Sequence, residues 1–143
     1  MKKRVLISVV GTQRFDEGHA EKQELLTAGT FDVQEGIFDV LYNESDTTGM
    51  EGVTTTLRIE PNYVILKRMG TTEVTQEFRS GVLYHSTYIT PFGELLLSVL
   101  PNEVESDLTA QGGRISLKYD LFVDDQFVSY NALVITIKEE SLK

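Results

Sequence analysis

The stretch STYITPFGELLLSVLPNEVES, residues 86–106, places a rigid corner between two apolar runs. Thr90 precedes a proline and is therefore held extended, Pro91 fixes φ at the second position of a turn, and Gly93 accommodates the exit from that turn. The TPFG sequence thus predicts a hairpin corner that joins a strand over 82–90 to a strand over 94–104.

Runs rich in Val, Ile, Thr, Tyr and Phe recur along the rest of the chain, separated by short breaks that contain Gly, Pro, Asn, Asp or Ser. This spacing is typical of an all-β sandwich or barrel. Two segments also have helical features. Residues 18–26 suit either a short helix or a strand, and residues 102–111 offer Asn102 as an N-cap followed by acidic residues. The predicted strands cover 3–14, 19–33 (bent at Gly29), 36–43, 52–60, 62–69, 72–79, 82–90, 94–104, 113–123 and 127–138.

The length of 143 residues, with 41% hydrophobic and 24% charged residues, predicts one globular domain over residues 1–143. About ten antiparallel strands joined by tight turns would leave open edges that promote aggregation, and closure into a barrel removes those edges. We therefore predict an all-β fold: a single antiparallel up-and-down β-barrel of about eight to ten strands with little helix. A two-sheet sandwich is the second choice.

Thirteen basic and 22 acidic residues give a net charge of −9. Nucleic acid and anionic membrane surfaces are therefore unfavourable partners, since the basic residues cluster only at positions 2–4. The beginning MKKRVLISVVG imitates a secretory signal, but its apolar run is short, is interrupted by Ser8 and lacks a cleavage site, so a strand is the better interpretation. No segment approaches the ~20 apolar residues that a membrane-spanning helix needs. We expect a cytoplasmic protein.

Several short sequence segments, spread in order over almost the whole chain, form a recognisable set. Together they resemble the YwiB family of small bacterial proteins of unknown function. The resemblance implies a lipocalin-like, or calycin-like, β-barrel and implies no activity. Lipocalin-like barrels often enclose a small apolar ligand. Expecting such a ligand here rests on analogy of fold alone. The matching phrases are YNES (42–45), TTGMEGVTTTLRI (47–59), LKRMG (66–70), Glu77, Phe78 and Gly81, YITPFGELLLSV (88–99) and ISLKYDLFV (115–123).

Alternation along the strands predicts which side chains face the barrel interior. The inward sets are Val53, Thr55, Leu57 and Ile59; Val82, Tyr84, Ser86 and Tyr88; Ile115, Leu117, Tyr119, Leu121 and Val123; and Phe127, Ser129, Asn131, Leu133, Ile135 and Ile137. An apolar wall with a few convergent polar groups is typical of a small-molecule pocket. The same tyrosines could instead fill the barrel and hydrogen-bond each other or water, since an eight-stranded barrel has room for either arrangement. The polar candidates are Tyr84, Ser86, Tyr88, Tyr119, Ser129 and Asn131.

Arg68, in the motif LKRMG, alternates with apolar residues and precedes a glycine, which predicts a position at the barrel mouth. A guanidinium there could bind a carboxylate or phosphate group in bidentate fashion. The alternative is a structural ion pair with Glu44, Glu73 or Glu77, because a buried arginine is almost always paired.

The sequence contains no motif for a metal, a cofactor or catalysis. Cysteine is absent, and the only histidines, His19 and His85, have no second ligand at a suitable spacing. No G-x-S-x-G, P-loop or G-x-G-x-x-G motif occurs. Alternation places His85 opposite Tyr84 and Ser86, on the exposed face.

Three hypotheses of function remain. The preferred one is a barrel that binds a small, partly apolar ligand whose anionic group reaches Arg68. The second is a filled barrel that acts as a structural or protein-interaction module, or as a homodimer. The third is an enzyme with acid and base residues at the barrel mouth, for which the sequence provides no demonstrated arrangement. A void beside Arg68 would favour the first or third hypothesis over the second.

Overall fold

The structure, a computed structural model, describes residues 2–15, 18–45 and 50–139. Within these ranges the chain forms β-strands and turns but no helix. In particular, the described part of the chain contains no helix long and apolar enough to cross a membrane. The strands are β1 (Lys2–Phe15), β2 (Ala20–Gln34), β3 (Ile37–Asn43), β4 (Val53–Glu60), β5 (Tyr63–Gly70), β6 (Val74–Phe78), β7 (Tyr84–Thr90), β8 (Gly93–Thr109), β9 (Gly112–Val123) and β10 (Gln126–Glu139).

All of these strands belong to one antiparallel sheet in the order β6-β5-β4-β3-β2-β1-β10-β9-β8-β7. Strands that are consecutive in the chain are neighbours in the sheet, apart from β6 and β7, and β1 pairs with β10. An isolated bridge between Glu73 and Ile89 then brings the two edges of the sheet together. The sheet therefore closes into an up-and-down barrel, as predicted, rather than splitting into a sandwich.

The contact between β6 and β7, which we call the seam, is the weak join of the barrel. At the bridge the Glu73 amide donates to the Ile89 carbonyl oxygen at 2.9 Å, and the Ile89 amide donates back at 2.8 Å. The described strands show no further backbone ladder between β6 and β7. Tyr84, Ser86 and Tyr88, on the inner face of β7, are accordingly only half-buried. The barrel is nearly, rather than completely, closed.

Side chains from all around the barrel fill its centre. The predicted inward set of β4 is confirmed, because all four of its members are buried. The largest core side chains are almost inaccessible to water, so no water-sized space lies against them. They are Tyr42, Phe31, Phe78, Ile7, Leu57, Ile59, Leu66, Ile115, Leu117, Ile135, Ile137 and Val5.

Both helix candidates are strands. Residues 20–26 belong to β2, where they pair with β1, and residues 102–109 belong to β8, where they pair with β9. A bulge between Pro101 and Glu103 lies at the beginning of the second segment. One extra residue changes the face to which later side chains point, so Val99 before the bulge and Val104 and Leu108 after it all pack on the core. The spacing of four between the last two residues imitates a helix.

A second bulge lies in β10 between Phe127 and Ser129. Before the bulge, Phe127 is on the outer face, where its ring centroid lies 5.9 Å from that of Phe122 and 4.7 Å from that of Tyr130. The prediction that Phe127 shares the inward face with Ser129 is therefore wrong. Strict alternation holds only while each residue has one partner in the neighbouring strand.

The TPFG corner is confirmed as a tight hairpin between β7 and β8. Thr90 pairs with Gly93, and Pro91 and Phe92 form the turn between them. The Phe92 amide donates to Thr90 Oγ1 at 3.1 Å, and Gly93 has a φ of 134°, which favours glycine. The proline, the threonine hydroxyl and the glycine therefore act together to define the corner.

Gly29 occupies a position in β2 where there is no room for a side chain. A Cβ atom there would lie 2.3 Å from the carbonyl oxygen of Leu41 and 2.4 Å from Cδ1 of Ile7. Both contacts are far shorter than van der Waals separation, and the first is with backbone, which cannot rotate away. Glycine at this position lets β2 lie close to its neighbours.

We expect Gly29→Ala to lower the free energy of unfolding by about 3 kcal/mol, because the added methyl group forces backbone to move. Gly11→Ala in the adjacent strand is the matched control, since its Cβ would meet only Cδ1 of Leu133, at 3.7 Å. That variant should change the free energy of unfolding by less than about 1 kcal/mol. Urea unfolding measures both, and equal effects would contradict the crowding described at Gly29.

Candidate functional site

Polar side chains gather at the end of the barrel that we call the mouth, defined by residues 11–13, Arg68, Tyr119 and Asn131. It is the end at which the odd-numbered strands β1, β3, β5, β7 and β9 finish. Because inward positions near a barrel end are less enclosed than those at its centre, polar groups there can reach water or a ligand.

Arg68 projects inward from the end of β5 and lies beside Glu44, which follows β3. Their side chains are 20% and 2% exposed, and Arg68 Nε is 3.8 Å from Glu44 Oε2. That distance is an ion-pair contact but too long for a hydrogen bond. Among the described residues, Arg68 Nε is buried and has no hydrogen-bond partner. The guanidinium is therefore electrostatically paired but retains unused donors.

Glu44 is held in place by buried neighbours. Its Oε2 atom accepts a hydrogen bond of 2.5 Å from Oγ1 of Thr55, a fully buried residue of β4. Tyr42 lies next to both: burial raises the pKa of its phenol, and the Glu44 carboxylate raises that pKa further. The phenol therefore stays protonated. Carboxylate, hydroxyl and phenol form a buried polar network behind Arg68.

A cavity of about 130 Å³ opens at the mouth, lined by Arg68 but not by Glu44. It has room for about four water molecules at the volume that water occupies in the liquid. Leu133 and Ala132 provide an apolar part of its wall. The polar side chains that line it belong to Gln13, Glu21, Gln23, Arg68, Tyr119 and Asn131, with Thr12 at its edge.

A buried serine orients the two amide side chains of this cavity. Ser129 Oγ accepts hydrogen bonds from Gln13 Nε2 at 2.9 Å and from Asn131 Nδ2 at 3.0 Å. Neither amide oxygen accepts a hydrogen bond from another described residue. The cavity therefore offers a cation and unoccupied acceptors.

Tyr119 completes the wall between these groups. Its ring packs edge-on against Phe78, with the centroids 5.0 Å apart. Burial raises the pKa of Tyr119, and the nearby Arg68 guanidinium offsets part of that rise. The protonated phenol can donate one hydrogen bond and accept others.

Comparisons with known proteins agree with this architecture. A family model described as a domain of unknown function, DUF1934, matches residues 7–135. The chain belongs to the DUF1934 family. It is 31% identical over 121 residues to the uncharacterized beta-barrel protein YwiB of Bacillus subtilis strain 168, an alignment that covers 85% of this chain and 84% of the relative. The YwiB resemblance of the sequence motifs is thereby confirmed.

A solved structure extends the similarity to three dimensions. The crystal structure of the ywiB protein from Bacillus subtilis superposes with a TM-score of 0.87 at 26% identity, and the match covers 98% of this chain and 94% of that one. The family is thus one of unknown function, and its relative YwiB is an uncharacterized β-barrel protein.

The structure brings together four of the residues predicted to bind a ligand and leaves three apart. Arg68, Tyr119 and Asn131 line the cavity, and Ser129 supports it from below. The other three, Tyr84, Ser86 and Tyr88, lie in β7 beside the seam and do not line the cavity. Ser86 Oγ donates to the carbonyl oxygen of Leu97 at 3.4 Å. Burial, followed by the Glu77 carboxylate, raises the pKa of Tyr84.

Sequence reasoning missed Gln13, Glu21 and Tyr42. Gln13 continues the alternation of Val5 and Val9 along β1, so the signal for an inward position was present. Glu44, the ion-pair partner of Arg68, was in contrast one of the three glutamates that the sequence offered for this pair.

His85 is exposed, as predicted, and its Nδ1 lies 2.6 Å from Ser98 Oγ. Over the described ranges, no three His, Asp or Glu side chains lie close enough to hold a metal ion.

We expect Arg68→Met to lower the free energy of unfolding by about 3 kcal/mol, because it leaves the Glu44 carboxylate buried without its cation. Adding Glu44→Gln to that variant should restore most of the loss, since the uncompensated charge is then removed. Urea unfolding of the two single variants and the double variant measures the coupling. If Arg68→Met is as stable as wild type, the pair does not hold the mouth together.

Tyr42→Phe should flatten the loss of stability at alkaline pH. The folded-state pKa of Tyr42 is raised above the value of about 10 in the unfolded chain. The contribution of the protonated phenol to the free energy of unfolding is therefore fully present below about pH 10 and is lost as the pH rises further. Above about pH 10 this group adds a slope of up to about 1.4 kcal/mol per pH unit in wild type and none in the variant. Urea unfolding between about pH 9 and 11 measures the slopes.

Tyr130→Phe is the matched control for that experiment, because Tyr130 is 51% exposed and lies on the outer face. It should leave the alkaline slope closer to that of wild type than Tyr42→Phe does. Identical slopes for wild type and Tyr42→Phe would show that the burial of this phenol does not influence stability.

Proposed function

We propose that this member of the DUF1934 family is a binding module whose barrel mouth holds the anionic group of a small, partly apolar molecule. The observation that carries this proposal is the state of Arg68. Its Nε is buried without a hydrogen bond among the described residues, and its side chain lines a cavity open to solvent. Leaving such a donor unsatisfied is unfavourable, and a bound carboxylate or phosphate would satisfy it.

The size of the cavity restricts what can bind. Pockets for drug-sized ligands have volumes of about 300–1,000 Å³, whereas the mouth offers about 130 Å³. Because side chains fill the barrel centre, a ligand cannot extend inward. The proposed ligand is therefore small, or else inserts only one end into the mouth, with apolar carbon against Leu133.

The charges at the mouth make this a site of modest affinity. Glu44 already offsets part of the Arg68 charge, while the 3.8 Å separation leaves Arg68 Nε without a hydrogen bond among the described residues. One charge-assisted hydrogen bond contributes about 1.5–3 kcal/mol. Tyr42 and Tyr119, whose pKa values burial raises, are suited to donate hydrogen bonds rather than to act as bases near neutral pH.

A second candidate function is that of a filled barrel which acts through its surface. The observation that favours it is Phe92, whose side chain is 99% exposed at the tip of the β7–β8 hairpin. Large exposed aromatic side chains are enriched at the centres of protein interfaces. In this reading the Arg68 pair has a structural role only.

Calorimetric titration with propionate and inorganic phosphate, at fixed ionic strength and with chloride as reference, tests the proposal. Wild type should bind one of these anions at a single site. The double variant Arg68→Gln/Glu44→Gln should fold, as measured by circular dichroism, but should lose binding at least about tenfold. Arg58→Gln is the matched control, because Arg58 is an exposed arginine paired with Asp39 on the outer face.

Equal anion binding by wild type and the double variant would remove Arg68 from the site. Absence of anion binding, together with a mass of the native protein purified from its own host that shows no bound molecule, would favour the filled barrel instead.

A further inference from the structure

The mouth cavity is lined by charges of both signs. Arg68 comes from β5, and Glu21 comes from β2, where it is the register partner of Gln13 of β1. Both charged side chains line the same space of about 130 Å³. A ligand with only a negative charge would be attracted by the first group and repelled by the second.

The uncharged groups of the cavity also favour a ligand that carries hydrogen-bond donors. Hydrogen bonds to Ser129 use the amide nitrogens of Gln13 and Asn131, so on their side the amide oxygens are available as acceptors. A simple carboxylate brings no donor to satisfy acceptors. An ammonium group brings three N–H donors and a charge opposite to that of Glu21.

We infer that the mouth accepts a small zwitterion, an amino acid whose carboxylate contacts Arg68 and whose ammonium group faces Glu21 and the amide oxygens of Gln13 and Asn131. This inference rests on the proposed function and names its ligand class. A volume equal to about four water molecules limits the ligand to roughly five to seven non-hydrogen atoms, the size of the smallest amino acids. Leu133 and Ala132 offer apolar surface to a methyl side chain.

Among the described residues, only His19 forms a hydrogen bond or ion pair with the Glu21 carboxylate, through Nε2 at 3.3 Å from Oε2. The two side chains are 63% and 53% exposed, respectively. Such exposed pairs contribute little and are screened by salt, so an ammonium group can take the place of the imidazole. Glu44, the other nearby carboxylate, is 2% exposed and is already engaged with Thr55.

Calorimetric titration with three related compounds tests the inference: L-alanine, propionate, which lacks the ammonium group, and ethylamine, which lacks the carboxylate. At equal ionic strength and neutral pH, wild type should bind alanine at least about tenfold more tightly than either of the others. Glu21→Gln should bring alanine down to the affinity of propionate and should not weaken propionate itself.

Glu24→Gln is the matched control, since Glu24 is a similarly exposed carboxylate of the same strand that does not line the cavity. It should leave the preference for alanine unchanged. Circular dichroism and urea unfolding establish that both variants fold, which we expect because both side chains are largely exposed.

Equal affinity of wild type for alanine and propionate would overturn the zwitterion inference while leaving the proposed anion site intact. Tight alanine binding that is unaffected by Glu21→Gln would overturn the assignment of the ammonium group to Glu21. Failure to bind any of the three compounds would overturn the inference, and it would overturn the proposed function as well if inorganic phosphate also fails to bind.

Discussion

The pairing of β1 with β10 is the constraint on which the rest of this structure depends. Eleven residue pairs, from Val5–Glu139 to Phe15–Ser129, join the two strands in one antiparallel ladder. The other ladders are hairpins between chain neighbours, so without this pairing β1–β6 and β7–β10 would be separate meanders with exposed apolar faces. The seam cannot replace it, since one bridge supplies only two backbone hydrogen bonds. The candidate site depends on the same ladder, because Gln13 and Asn131 are register partners within it.

The two bulges change which side chains of β8 and β10 face the core. Each adds one residue to a long strand, and each changes the face to which the following side chains point. In β8 the change returns Val104 and Leu108 to the core, and in β10 it directs Ser129 and Asn131 inward while Phe127 packs outside. Polar groups reach the mouth because the register of β10 shifts just before them.

At the mouth, Arg68 both compensates a buried charge and faces the cavity. A buried carboxylate such as Glu44 requires a nearby cation, and Arg68 supplies it at a distance that leaves the guanidinium without a hydrogen bond to that carboxylate. Stability and ligand recognition therefore draw on the same side chain. Thr55 and Tyr42 stabilise the carboxylate from behind, which allows Arg68 to face the cavity. A filled core beneath the mouth confines any ligand to the end of the barrel.

The sequence by itself determined the number and approximate limits of the strands, the TPFG corner, and the inward positions of Tyr119, Ser129 and Asn131, because alternation and turn chemistry are local properties. Both faces of β5 carry apolar residues, so alternation left the face of Arg68 open. It left residues 102–111 open between helix and strand and placed Phe127 on the wrong face, since a bulge depends on the partner strand and leaves no local mark. Only the tertiary structure decided that Glu44 pairs with Arg68 and that Gln13 and Glu21 join the same cavity. Those contacts cross the barrel, and the closure of strands far apart in the chain creates them.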